Sequence, residues 1–277
     1  MIEIGKINSL VVSSEVANGF YLSDSDSEDV AFIPRAEARD IVEGLEVNVF
    51  LYLDKNETVL GTLQVPNALL GEYALMEVVD TTTFGAFFDW GISKDLLVPD
   101  TEQKVPIRDG AEHIVRVCMD ENTRLLYGTT KLGKYIQASE FDIKESDKVE
   151  IVPAVIEELG YRCIINKKYI GMIYHNEIFS EIKLGQPLMG VVKKIRPDGL
   201  IDSALQVQGI RNLMNSKEVI LSYLESVGGK SPLGDKSAPD DIRMALHMSK
   251  QTFKNGIGIL YRERKITISK DGIELVK

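Results

Sequence analysis

Alternating apolar and polar positions dominate the first two-thirds of the chain, and the alternation recurs in three similar blocks. Val47, Val49, Leu51 and Leu53 alternate before Asp54-Lys55-Asn56-Glu57, and Val59-Leu60-Gly61-Thr62 follows. A period of two, a polar turn and a return run predict a β-hairpin. The second block repeats it with Val115, Val117 and Met119, then Asp120-Glu121-Asn122-Thr123, then Leu126-Tyr127-Gly128-Thr129. The third has Leu188 and Val192, a tight Pro197-Asp198-Gly199 turn, and Leu200-Ile201-Asp202-Ser203. Upstream, a β-patterned run leads into Gly19, Gly85 and Gly160, and Gly44, Gly110 and Gly185 later open further runs. Both glycine sets are offset by 66 residues between blocks one and two and by 75 between blocks two and three. Pro34, Pro99 and Tyr174 close short apolar runs nearly in step. About five short strands in roughly 65 residues, three times over, predict a mainly β chain of five-stranded barrels in series.

After Gly209 the period changes. Val219, Ile220, Tyr223, Leu224 and Val227 fall at helical spacing, and Gly228-Gly229 stops that helix. Ser237-Ala238-Pro239-Asp240 reads as a second helix start, with Ile242, Ala245 and Leu246 on its apolar face. A third helix from Ser249 places Phe253, Ile257 and Leu260 on one side, where Gly256 and Gly258 are expected to permit close packing. Ile266-Thr267-Ile268, Asp271-Gly272 and Ile273 to Leu275 then predict a hairpin. Four domains follow: 1-63, 64-138, 147-209 and 212-277, the last an α+β winged helix. Gly229-Lys230-Ser231 imitates the end of a phosphate-binding loop, but Leu224 stands where that motif needs glycine.

Composition narrows the function. The 277 residues carry a net charge of −10, unevenly spread. Residues 1–63 are net −8, residues 64–146 net −6, residues 147–211 net +1 and residues 212–277 net +3. Phosphate affinity follows local Lys and Arg, so a nucleic-acid grip is expected to lean on the C-terminal half. The acidic run Ser23-Asp24-Ser25-Asp26-Ser27-Glu28-Asp29 suits a solvated turn that repels nucleic acid, leaving the first block as a scaffold or protein contact. Cys118 and Cys163 sit at alternating apolar positions, as buried thiols of a reducing cytoplasm do. His113, His175 and His247 lack ligand spacing, so neither metal nor cofactor is expected. The start of the chain has no secretion-signal layout and no apolar run approaches the ~18 residues of a membrane span.

Phe84-Gly85-Ala86-Phe87-Phe88, followed by Lys94-Asp95-Leu96-Leu97-Val98-Pro99, resembles the signature of the S1-type RNA-binding domain, an OB-fold. The match is weaker at Asn18-Gly19-Phe20-Tyr21 with Ala31 to Pro34, and at Leu159-Gly160-Tyr161-Arg162 with Gly171 to Tyr174. In that family two aromatics and a closing histidine stack bases from one barrel face. The resemblance carries these roles to Phe84, Phe87 and Pro99, to Asn18, Tyr21 and Pro34, and to Leu159, Arg162 and Tyr174. Only the second block keeps both aromatics, and the histidine is absent throughout. Strand alternation puts Phe84 and Phe88 on one face and Phe87 on the other, unless Gly85 marks a bulge.

Trp90 and Lys94 lie near the same loop and extend the candidate surface. Arg162, Lys167, Lys168, Tyr174 and His175 give the third block cations interleaved with aromatics, and Lys193, Lys194 and Arg196 add a second basic cluster. Lys250, Lys254, Arg262, Arg264 and Lys265 would line the third C-terminal helix and the wing root.

Three S1-like modules and a winged helix, in this order and size, resemble the conserved virulence factor B (CvfB) family of bacterial RNA-binding regulators. The resemblance implies single-stranded RNA binding that affects gene expression in the cytoplasm, without a catalytic centre. A DNA-binding transcription regulator, with the β-modules holding protein partners, stands as the alternative. A ribonuclease is disfavoured, because no cluster of carboxylates and no nucleophile–histidine pairing is in the chain.

Overall fold

The computed structural model describes residues 2–24, 29–38, 40–178, 182–205 and 209–276, without the side chains of 176 and 209–215. Residues 25–28 of the acidic run therefore lie outside the described residues. The first block is a closed barrel of β1 (Ile7–Val16), β2 (Gly19–Ser23), β3 (Val30–Pro34), β4 (Glu46–Leu53) and β5 (Val59–Thr62), ordered β1-β2-β3-β5-β4. The second block has β6 (Tyr73–Thr82), β7 (Gly85–Phe88), β8 (Leu96–Pro99), β9 (Glu112–Met119) and β10 (Leu126–Thr129). Its order is β10-β9-β6-β7-β8, the same sequence of neighbours left open where β8 meets β10. The second of the three expected barrels is thus an open sheet. The Val98 side chain lies against the Gly128 backbone at this seam: a Cβ on Gly128 would stand 2.7 Å from Val98 Cγ2.

A short helix, α1 (Gly133–Gln137), precedes the third block. That block closes as a barrel of β11 (Lys148–Glu157), β12 (Gly160–Ile165), β13 (Tyr169–Tyr174), β14 (Leu188–Ile195) and β15 (Ile201–Leu205). The chain divides into two compact units, residues 1–142, 162–171 and 195–201 in one, residues 143–161, 172–194 and 202–277 in the other.

The repeated glycines have two separate physical causes. Gly19 pairs with Pro34 across the β2–β3 ladder, and Gly85 pairs with Pro99 across β7–β8. A side chain at Gly19, Gly85 or Gly160 would drive its Cβ to 2.2, 2.5 or 2.0 Å from the carbonyl oxygen of Ile33, Val98 or Ile173. Only hydrogen fits where two backbones approach this closely. Gly44, Gly110 and Gly185 instead adopt φ of 82, 71 and 74°. Each donates its N–H back to the opening strand of its block, at Val12, Val78 or Pro153. Each block also turns into a single 3-10 turn after its third strand, at Arg35–Glu37, Asp100–Glu102 and His175–Glu177.

The C-terminal region follows the predicted order of three helices and a hairpin, with one strand, at Lys230–Ser231, that was not predicted. It has α2 (Gly209–Ser226), β16 (Lys230–Ser231), α3 (Pro239–Leu246), α4 (Lys250–Arg262), β17 (Ile266–Ser269) and β18 (Gly272–Leu275), with sheet order β16-β18-β17. Pro239 stands in the first turn of α3, where its missing N–H costs nothing. The Ser249 hydroxyl caps α4 by accepting the Thr252 N–H at 2.9 Å. Ile220, Leu224, Ile242, Leu246, Phe253, Ile257 and Leu260 build the core with Ile266 and Ile273 of the hairpin. Gly256 is required by packing, since a Cβ there would meet Ile220 Cδ1 at 2.7 Å. Gly258 faces open space, so its expected packing role is not what the structure shows.

Candidate nucleic-acid interface

Phe84 does not sit on a strand. Thr82 pairs with Gly85, leaving Thr83 and Phe84 as the two-residue turn between β6 and β7. Alternation therefore does not govern it. Phe84 is 57% exposed and meets the half-buried Phe87 edge-on, with ring centroids 6.0 Å apart, while Phe88 is fully buried. The register shift of this hairpin lies in β6, between Val78 and Asp80, not at Gly85. Two aromatic rings thus share one solvent-facing surface, arranged so that a base could lie on either.

The first barrel carries a pair of which the signature motif marks only one member, Tyr21. Tyr21, 41% exposed, stands opposite Phe32 in the β2–β3 ladder, with centroids 5.3 Å apart. The alternation of buried Ala31 and Ile33 around Phe32 is the signal that could have found it. This barrel therefore has two neighbouring rings although it keeps only one of the signature aromatics. In the third barrel Leu159 is exposed in the corresponding turn, and Tyr161 meets His175 at 5.8 Å. Tyr174 is half-buried, and its hydroxyl donates to Asp202 Oδ1 at 3.2 Å.

The expectation for Trp90 is corrected. It is 1% exposed, its indole N–H donates to Ala68 O at 2.8 Å, and Phe50 abuts it edge-on at 5.3 Å. It is a core residue and offers no stacking face. Several cations expected on the second and third blocks are tied within the molecule. Lys94 donates to Leu53 O at 3.2 Å and lies 4.5 Å over the Tyr52 ring. Burial holds its pKa below the ordinary lysine value. Lys167 donates to Asn67 O at 2.9 Å, and Lys168 pairs with Asp142 at 2.6 Å. Lys193 and Arg196 pair with Glu177 and Asp198.

Arg162 is half-buried and shares a cleft with Lys104, Lys131 and Lys134, three lysines that no motif in the sequence singles out. A second cleft holds Arg116, whose guanidinium lies 4.1 Å over Tyr135 and 5.6 Å over Tyr73. Burial, first among the causes, pushes the Tyr127 and Tyr135 hydroxyls of that cleft up to about 12, keeping both as neutral phenols.

In the winged helix Lys250 is half-buried, and Lys254, Arg262, Arg264 and Lys265 are exposed. Lys254 pairs with Asp235 at 3.3 Å and Lys265 with Glu263 at 3.9 Å. The Arg262 Nε–H donates to Gly258 O at 3.2 Å. Lys217, first among the causes, holds the Glu263 carboxyl below its ordinary range. The positive face is therefore partly neutralised by the domain's own carboxylates.

Comparison with known proteins places these features in a family. The S1 domain profile matches residues 4–64, and that of the CvfB-like winged helix domain matches residues 218–275. A Bacillus subtilis (strain 168) protein named Uncharacterized protein YitL is 30% identical over 95% of this chain and 90% of its own length. Conserved virulence factor B of Staphylococcus saprophyticus is 25% identical, over 99% of this chain and 95% of its own. The chain belongs to the conserved virulence factor B family. A Streptococcus pneumoniae TIGR4 crystal structure, described as a multidomain protein with nucleic acid binding domains, is also similar. It is 22% identical, covers 99% of this chain and 98% of its own, and has a TM-score of 0.42. Like its family, the chain joins S1 nucleic-acid-binding architecture to a winged helix. Among the described residues no helix is long and apolar enough to cross a membrane.

Proposed function

We propose that this chain is a cytoplasmic single-stranded RNA-binding protein that affects gene expression after transcription. The observation that carries the reading is the Phe84–Phe87 pair, two rings in edge contact on the surface of a hairpin turn. An unpaired base presents a π-face, and stacking it on an exposed ring contributes roughly 1–3 kcal/mol without reading sequence. Tyr21 with Phe32 supplies a second such surface, and Tyr161 with His175 a third. Four tandem domains along the chain, 1-63, 64-138, 147-209 and 212-277, would let one strand be gripped weakly at several points. The winged helix adds basic contacts through Lys250, Arg262 and Arg264.

Titration with fluorescent oligo(U) tests this. Phe84→Ala and Phe87→Ala are each expected to weaken binding by about 1–3 kcal/mol. Unlabelled single-stranded RNA should compete better than duplex RNA or duplex DNA at the same salt. Unchanged affinity in both variants, or a preference for duplex DNA lost in Lys250→Ala/Lys254→Ala, would overturn the reading.

A further inference from the structure

The cleft around Arg162 has a feature that the aromatic surfaces lack. It is a concavity of about 590 Å³, lined by Lys104, Lys131, Lys134 and Arg162, with Asp198 as the one acidic residue among its described lining. Asp198 is paired with Arg196 at 2.7 Å. Residues 64–146 are net −6 and hold eight Lys and Arg, yet three of those eight gather on this wall.

The walls are fixed by hydrogen bonds between the 101–104 and 130–131 segments. The Lys104 N–H donates to Thr130 Oγ1 at 2.8 Å, and the Thr130 N–H donates to Glu102 O at 3.0 Å. Lys131 Nζ donates to Thr101 O at 2.6 Å, which ties the two segments together again. On the far side Gly199 has φ of 84°, and its backbone comes so close to α1 that a Cβ would stand 1.9 Å from Ile136 O. The Pro197-Asp198-Gly199 turn is thus seated against the helix that carries Lys134. Lys104 and Lys134 are exposed, and no salt bridge to either is found among the described residues.

We propose that this cleft holds the phosphodiester backbone of the RNA strand, in a track built where the α1 segment meets the β14–β15 turn. The inference rests on the RNA-binding reading and adds the site at which charge, instead of stacking, is recognised. A concave wall of cations with one neutralised carboxylate fits a chain of phosphates, since each neutralised phosphate releases condensed counterions. The clustering of cations within one cavity also focuses the field more than the same charges spread on a convex surface.

Salt dependence separates the two contributions. Oligo(U) binding would be measured from about 50 to about 300 mM KCl, a span over which counterion release is readable, for the full chain and four variants. Lys104→Gln/Lys134→Gln should weaken binding and make the log–log salt slope shallower by about 1.4, at ~0.7 per phosphate contact on a single strand. Lys104→Arg/Lys134→Arg should keep affinity and slope. Lys55→Gln/Arg124→Gln, the same charge change at exposed hairpin turns, should leave the slope as in the parent chain. Phe84→Ala/Phe87→Ala should lose affinity with little change in slope. If the parent chain binds and Lys104→Gln/Lys134→Gln leaves its slope unchanged, the cleft is misassigned while RNA binding stands. The cleft is equally misassigned if the Lys55/Arg124 control shifts the slope as much, or if the cleft variant loses poly-glutamate binding while keeping oligo(U). No oligo(U) binding by the parent chain overturns both proposals together.

Discussion

At the scale of single residues, Trp90 shows how a ring is assigned to a core or to a surface. Its indole belongs to one buried cluster with Phe50 and Tyr52 of the first barrel and with Ala68 and Ile92 near the second sheet; Phe50 abuts it, and its N–H is committed to Ala68 O. Trp90→Phe keeps most of the apolar contact but strands the Ala68 carbonyl in a buried site. The expected loss is about 1–3 kcal/mol of stability, read by denaturant unfolding. Oligo(U) affinity at a temperature where both proteins are folded should stay the same; a drop as large as that of Phe87→Ala would return Trp90 to the stacking surface. The pattern of the chain could not decide this. Trp90 packs on Phe50, forty positions earlier, and periodicity reports only which face of a local element a residue occupies. Alternation misplaces Phe84 for the opposite reason: it is a strand rule, and Phe84 belongs to a turn.

Among the elements, the spacing of the glycines exposed the repeat, but two different constraints lie beneath one spacing. Gly85 and Gly160 are compelled by the neighbouring strand, whose carbonyl oxygen occupies the place of a Cβ. Gly110 has open space around it and is compelled only by its φ of 71°. Substitution separates these causes. Gly110→Ala should cost roughly 1–2 kcal/mol as left-handed strain, and Gly110→Asn should recover part of it, because asparagine tolerates that region. Gly160→Ala should cost roughly 1–3 kcal/mol through overpacking, and Gly160→Asn should be no better. Urea unfolding of the four variants checks the pattern; rescue by asparagine at Gly160 would show that crowding is not its constraint. The hairpins, the starts of α3 and α4 and the wing were legible, because each is encoded within a dozen consecutive residues, whereas the short α1 was not predicted. The cation cleft was not, because Lys104, Lys134 and Arg162 belong to separate elements and are brought together only by the packing of the turn at Gly199 on α1.

For the molecule as a whole, the first barrel and the second sheet are joined by a common core. Phe50 and Tyr52 of β4 belong to the same buried cluster as Trp90, Phe88 and Val117. Polar ties reinforce it: Lys6 Nζ donates to Leu70 O at 2.9 Å, the Leu70 N–H donates to Gly5 O at 2.9 Å, and Lys94 reaches Leu53 O. The most acidic block, net −8 over residues 1–63, is thereby fixed to the sheet whose β6–β7 turn carries the best aromatic pair. Such a charge opposes RNA binding, so its attachment calls for a structural reason, and the shared core supplies one. A chain of residues 64–277 would leave Trp90 without Phe50 and Tyr52, uncovering apolar surface at roughly 1.5–3 kcal/mol for each large side chain. We expect it to lose the cooperative unfolding transition of the second sheet and, with it, the Phe84-dependent part of oligo(U) binding, although the repelling charge has been removed. Calorimetry alongside RNA titration tests the balance. If residues 64–277 keep the melting temperature of the full chain and bind oligo(U) more tightly, then the first barrel is a detachable electrostatic brake, and the common core contributes little to holding the second sheet in its RNA-binding form.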